Sequence, residues 1–195
     1  MPRLTPITKR EQVSGAALEA FDAIIESRGS INGPQSMQMY APGVARWSTA
    51  LNDALRFDAV LSDHDTELAV CVAARVMDCE YVWASHASAA LRAGVRKEAI
   101  DIVANEESLD GLTEDEALIV RYGRELMSDH KVSQEAFDAV LSSFGEAKTI
   151  VLGALMGYYL MISCTLIATD MRPAEGTPVL PKRRQPSVQR ISQST

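Results

Sequence analysis

A chain of 195 residues, 47% of them hydrophobic, is long enough to close one substantial core without disulfide or metal staples. Its 26 acidic residues against 19 basic ones leave a net charge of −7, and no basic stripe precedes the last two dozen residues or so, which argues against nucleic acid as a partner. Three cysteines, an odd number, argue against a disulfide framework, and the N-terminal MPRLTPITKREQ lacks the apolar run and cleavage site of a secretory signal, so a cytoplasmic protein is expected.

Helical signals dominate the chain, and no stretch alternates with period two. Thr8 and Glu11 have the spacing of a capping box, and Val13, Ala17, Phe21, Ile24 and Ile25 then recur on one helical face until Arg28–Gly29. Residues 29–36, GSINGPQS, read as a loop, and Pro42–Gly43 separates a short MQMY turn from a helix over about 43–57. Asp63 or Asp65 is placed to cap TELAVCVAARVM, and Asp78 to cap the next helix, which opens at Cys79 and closes at Gly94.

A further helix covers about 96–105. Thr113 with Glu116 forms a second capping box before EALIVRYGRELM, and Ser133 caps QEAFDAVLSSF up to Gly145. Residues 150–168, IVLGALMGYYLMISCTLIA, carry no charge over 19 positions, near the lower limit for a membrane span. Their small residues, and the amphipathic helices around them that need something to pack against, favour a buried central helix and no membrane. Beyond residue 172 four prolines and a basic character mark a tail, 173–195, either unstructured or laid along a neighbouring subunit.

Chemistry concentrates in CEYVWASHASAALRAG, residues 79–94. At the first turn of a helix, unpaired backbone N–H groups and the helix dipole stabilise a thiolate at Cys79. His86 lies two turns on, and Trp83 one turn before His86, on the same face. Glu67 belongs to the first turn of the preceding helix. If the two helices fold back on each other, its carboxylate can meet the imidazole as a proton relay requires. Cys71 and Arg75 follow Glu67 at i+4 and i+8. The alternative for each residue is structural: a small buried thiol, a core histidine, aromatic packing and a dipole-favoured carboxylate.

The run ELAVCVAARVMDCEYVWASHASAALRAGVRKEAI resembles the core motif of the carboxymuconolactone decarboxylase family, the superfamily that includes the alkylhydroperoxidase AhpD. The resemblance extends through GLTEDEALIVRYGRELM, VSQEAFDAVLSSFG and the long helix with its GYY, covering about residues 10–172. It implies an all-α, AhpD-like bundle of about seven to eight helices. In the peroxidase branch the signature is a glutamate, a C-x-x-C pair and a histidine four residues beyond the second cysteine. Glu67, Cys79 and His86 match it, while Val82 stands where the second cysteine belongs, and valine cannot resolve a sulfenic acid.

The resemblance therefore implies the decarboxylase branch: a cofactor-free, metal-free lyase or isomerase acting by acid–base chemistry on a small unsaturated carboxylic acid or lactone. Glu67 and His86 form the acid–base pair in that reading, with Cys79 beside them. Arg75 anchors a carboxylate, and Tyr81 and Trp83, or Tyr158 and Tyr159 from the long helix, wall the pocket. A peroxidase using Cys79 with an external thiol and a non-catalytic helical oligomer are the alternatives. A metal site drawn from His64, Glu67, Cys79 and His86 lacks any pair with preset ligand spacing. A homo-oligomer, dimer, trimer or hexamer, is expected because such a bundle leaves apolar surface to cover.

Overall fold

The computed structural model describes residues 1–57 and 60–183. Among these residues the chain is all-helical, with eight α-helices: α1 (Ala16–Arg28), α2 (Gly33–Gln38), α3 (Pro42–Phe57), α4 (Asp63–Val76), α5 (Glu80–Arg92), α6 (Lys97–Asn105), α7 (Glu114–Met127) and α8 (Gln134–Ala168). Short 3-10 turns at Arg10–Gln12 and Leu109–Gly111 complete the described secondary structure.

Local chemistry sets most of the boundaries. Thr113 accepts from the Glu116 amide while Glu116 accepts from the Thr113 amide, the reciprocal pair expected from the spacing, and Ser133 accepts from the Ala136 amide at the start of α8. Gly145 interrupts α8 with φ 76° and ψ 173°, a left-handed value that a residue with a Cβ adopts only under strain, so the uncharged half begins as a helix of its own. Other boundaries differ from expectation. Gln12, not Glu11, closes the first turn by accepting from the Thr8 and Lys9 amides. Ser62 caps α4 by accepting from the Asp65 amide, which leaves Asp63 and Asp65 in the first turn, where the helix dipole favours them. Part of the expected loop 29–36 is the start of α2, which opens at Gly33 with Pro34 in the first turn.

The centre of the molecule is α4. Every residue from Thr66 to Arg75 is buried, because α5, α6, α7 and α8 enclose the helix on all sides. The uncharged part of α8, expected at the centre, is instead an outer helix. Leu152, Leu155, Met156, Tyr159 and Ile162 face inward, while Ile150, Ala154, Gly157, Met161, Cys164 and Ile167 are exposed. Hydropathy alone misplaces it, since alanine and β-branched residues on α4 score lower than α8 yet suit an enclosed helix where neighbours approach closely. A second, smaller apolar cluster joins Phe21 and Ile24 of α1 to Ile31, Met39 and Ala45.

Residues 173–183 lie on this same chain. Leu180 is buried, Arg75 donates to the Pro181 carbonyl at 2.7 Å, and Arg183 donates to the Arg75 and Val76 carbonyls. The expectation for 184–195 lies outside the described residues.

Candidate active site

Three residues, Met77, Asp78 and Cys79, join α4 to α5, so the second helix folds straight back along the first. Asp78 takes φ 50° in this turn, and Cys79 itself becomes the N-cap of α5. Asp78 is thus not the cap; its carboxylate holds Arg75 and Arg183. The fold-back brings Glu67 of α4 to His86 of α5, with the carboxylate Oε2 2.7 Å from the ring Nδ1. Arg56 of α3 donates to the other carboxylate oxygen of Glu67 and, at 2.7 Å, to the Tyr159 hydroxyl of α8. The His86 ring meets Tyr159 edge-on, centroids 5.0 Å apart, and Tyr159 meets Tyr158 in the same manner at 5.3 Å.

Three helices thus converge on one carboxylate. Burial alone would raise the pKa of Glu67, but the hydrogen bond and charge of His86 and the guanidinium of Arg56 outweigh it and hold the carboxyl below the ordinary glutamate value. Arg56 is also partly desolvated, yet the charges and hydrogen bonds of Tyr159 and Glu67 keep it firmly protonated. Burial pushes the Tyr159 hydroxyl up, against the charge and hydrogen bonds of Arg56 and a hydrogen bond with Asn52. An ionised Glu67 only accepts, so Nδ1 of His86 carries the proton of this hydrogen bond, and whenever the ring is neutral Nε2 is its acceptor nitrogen.

His86 forms part of the wall of a cavity of about 270 Å³. Asn52, Arg56 and Phe57 of α3 line one side, Tyr81 and Val82 of α5 another, and Tyr158, Tyr159 and Ile162 of α8 a third. Arg28 lies at its edge, held by the Asn52 side chain at 2.6 Å and Asp53 at 2.5 Å, with its Nε buried and unpartnered among the described residues. Tyr81 is seated by Gly33: a Cβ there would lie 2.8 Å from the Tyr81 hydroxyl, and φ at Gly33 is +51°.

Of the residues singled out from sequence, the structure brings Glu67, His86, Tyr81, Tyr158 and Tyr159 together. Cys79 is buried and lines a neighbouring depression of about 370 Å³ with Glu80, Asp170 and Arg172; Tyr81 and Leu166 belong to the walls of both spaces. Arg75, expected as a carboxylate anchor, does not face the His86 cavity. It is buried, its two terminal nitrogens are taken by the Ala104 and Pro181 carbonyls and Asp78, and its Nε has no partner among the described residues. Trp83, expected in the pocket wall, points the other way, to a groove shared with Ile100, Pro178 and Pro181. The physical reason is helical phase: Trp83 is three residues before His86 and far enough round α5 to face α6 and the C-terminal segment.

Cys71 is fully buried, and burial, with the nearby Glu67 charge adding to it, pushes its thiol far above the usual range, so it supplies no thiolate. His64 pairs with Asp65 and approaches Glu116, apart from His86. Among the described residues no three His, Cys, Asp or Glu side chains converge as metal ligands would.

Arg56 escaped the sequence reading, together with Ser48 and Asn52. Their signal was present, because Ser48, Asn52 and Arg56 recur at i, i+4 and i+8, but a polar helical stripe is ordinarily a solvated one. Here it faces inward, with Ser48 3.3 Å from the Tyr158 hydroxyl.

The architecture is that of the AhpD-like helical proteins. The AhpD core of an uncharacterised peroxidase-related protein from Ralstonia eutropha JMP134 superposes with a TM-score of 0.70 at 17% identity, over 89% of this chain and 93% of that one. The debrominase Bmp8, as a cysteine-to-alanine variant in complex with 2,3,4-tribromopyrrole, superposes with a TM-score of 0.68 at 15% identity, over 90% of this chain and 95% of that one. Residues 42–128, which span α3 to α7 and carry Arg56, Glu67 and His86, match the model of the carboxymuconolactone decarboxylase family. A search of curated protein sequences finds no match.

Proposed function

We propose that this protein is a cofactor-free acid–base enzyme that moves a proton on a small unsaturated carboxylic acid or lactone, by isomerisation or decarboxylation. The observation that carries the proposal is the 2.7 Å Glu67–His86 contact, with His86 on the wall of an aromatic-lined cavity. The buried carboxylate fixes the tautomer of His86 and stabilises the imidazolium that forms when Nε2 takes a proton from substrate. That proton can return to another atom of the conjugated system. Where a carbon–carbon bond breaks with loss of carbon dioxide, the electron pair left behind delocalises into the unsaturated system, and the imidazolium protonates it. Arg56 keeps Glu67 ionised through the cycle. Arg28, a cation at the cavity edge with an unpartnered Nε, takes the anchoring role first expected of Arg75.

The volume suits a small ligand, below the range of about 300–1,000 Å³ typical of drug-sized sites. The structural neighbour bound to tribromopyrrole shows that protein holding a small planar ring. A thiol peroxidase reading draws on Cys79 at the N-cap of α5, but Val82 occupies the His86 cavity where that chemistry needs a second sulfur.

Two assays separate these readings: solvent-deuterium incorporation and carbon dioxide release with carboxymuconolactone and related unsaturated acids, and hydrogen peroxide consumption with dithiothreitol. Glu67→Gln and His86→Asn should lower proton transfer by about 10²–10⁴-fold, while Cys79→Ser retains most of it. Loss of peroxide consumption in Cys79→Ser, with proton-transfer turnover absent throughout, would sink the acid–base assignment.

A further inference from the structure

The helix that supplies Arg56 is amphipathic in the reverse sense. Ser48, Thr49, Asn52 and Arg56 of α3 point into the protein, while its outward face carries Val44, Trp47, Ala50, Leu51, Ala54 and Phe57. Trp47 is 65% exposed, Phe57 61%, Val44 51% and Leu51 48%. The outward-facing charge in this stretch is Arg46, and it lies over the Trp47 ring at 5.1 Å from the centroid. With aromatic side chains of about 150–250 Å² each, Trp47 and Phe57 alone present on the order of 250 Å². Val44, Leu51 and the exposed Tyr40 just before the helix bring the apolar patch to roughly 500 Å². That is about the apolar share of the ~800 Å² each partner buries in a standard interface.

The spacing identifies the occupant. A two-fold axis between residues 50 and 51 of an antiparallel helix pair sets residue 44 against 57, 47 against 54 and 50 against 51, so the set of six maps onto itself. Large side chains then face small ones: Trp47 meets Ala54, and Leu51 meets Ala50. Self-complementarity of this kind is what an isologous dimer needs, and a foreign partner would not require it. We propose that the outward face of α3 is a self-association surface, on which a second copy of this chain packs its own α3 antiparallel across that axis. Phe57 belongs both to this face and to the wall of the His86 cavity, so the second copy borders the cavity mouth. The interface stands whatever reaction the cavity performs.

Solution mass and cross-linking test the interface directly. Wild-type protein should sediment as an even multiple of 21.2 kDa. Leu51→Glu, which sets like charges together at the axis, and Trp47→Glu, which puts an unpaired carboxylate into the contact with Ala54 of the second copy, should each raise the concentration needed for association at least about 100-fold, with unchanged helical circular dichroism. In a Cys164→Ser background, Ala50→Cys should form a disulfide-linked dimer on mild oxidation. Val44→Cys should not, because 44 and its symmetry mate lie roughly 20 Å apart along the axis at 1.5 Å per residue. A wild-type monomer or odd-numbered oligomer, no cross-link from Ala50→Cys, or dissociation by Ile150→Glu on α8 with Leu51→Glu silent would each overturn the proposal.

Discussion

A buried carboxylate with two partners, one an imidazole and one a guanidinium, ties stability and chemistry to the same few atoms. Arg56 has no other carboxylate partner than Glu67 among the described ion pairs, and the Glu67 side chain is only 6% exposed. Arg56→Met therefore removes one side of a buried pair and leaves the other desolvated. The expected cost is about 3–5 kcal/mol in urea unfolding, with Arg56→Lys recovering part of it. A loss below about 1 kcal/mol would show that water reaches the pair. Gly33→Ala tests the cavity wall in a different way. The new methyl meets the Tyr81 hydroxyl and the backbone sits at positive φ, so a destabilisation of about 1 kcal/mol or more is expected, with a change in Tyr81 fluorescence or reactivity. At this scale Glu67 and His86 were legible because each sits in a motif. Arg56 was not, because nothing in a polar stripe says which side of a helix water is on.

Helix boundaries were the most legible feature of the elements, and the capping chemistry explains why: it is local, within four residues, and needs no tertiary context. The Thr113–Glu116 box formed as its spacing predicts. Thr113→Ala should cost about 1 kcal/mol, lowering Tm by about 2–4 °C in a chain of this size; an unchanged melting curve would mean that packing alone holds α7. At Asp78 the same logic failed, since the short three-residue link spends Asp78 on a left-handed turn, which placed Cys79 at the N-cap. The α3 case is a tertiary override of amphipathicity. Its polar stripe is satisfied inside by Tyr158, Tyr159 and Glu67, and its apolar stripe is left outside.

Across the whole molecule, two buried glutamates anchor separate parts of the bundle. Glu116, on α7, is desolvated, but the Arg96 guanidinium at 2.5 Å and the Thr113 amide overcome the burial and hold its pKa low, as His86 and Arg56 do for Glu67. A carboxyl whose folded pKa lies below its unfolded value of about 4.3 contributes stability that is fully present above that value and is lost as pH falls through the folded pKa. Melting temperature should therefore hold near neutrality and drop on acidification below about pH 4. Glu116→Gln should lower Tm at neutral pH yet flatten the acid limb; an equally steep decline would place the acid sensitivity elsewhere.

The all-helical character and the Thr113 and Ser133 caps follow from periodicity and short-range spacing, and the Glu67, Cys79 and His86 positions from the resemblance of their motif; the sequence alone carries these. Which helix lies at the centre, which way α3 faces, and that Arg75 and Trp83 turn away from the cavity while Arg56 and Tyr159 turn toward it were decided only by the packing. Side-chain direction depends on contacts between residues up to about a hundred positions apart, such as Arg56 with Tyr159, and no local pattern records them.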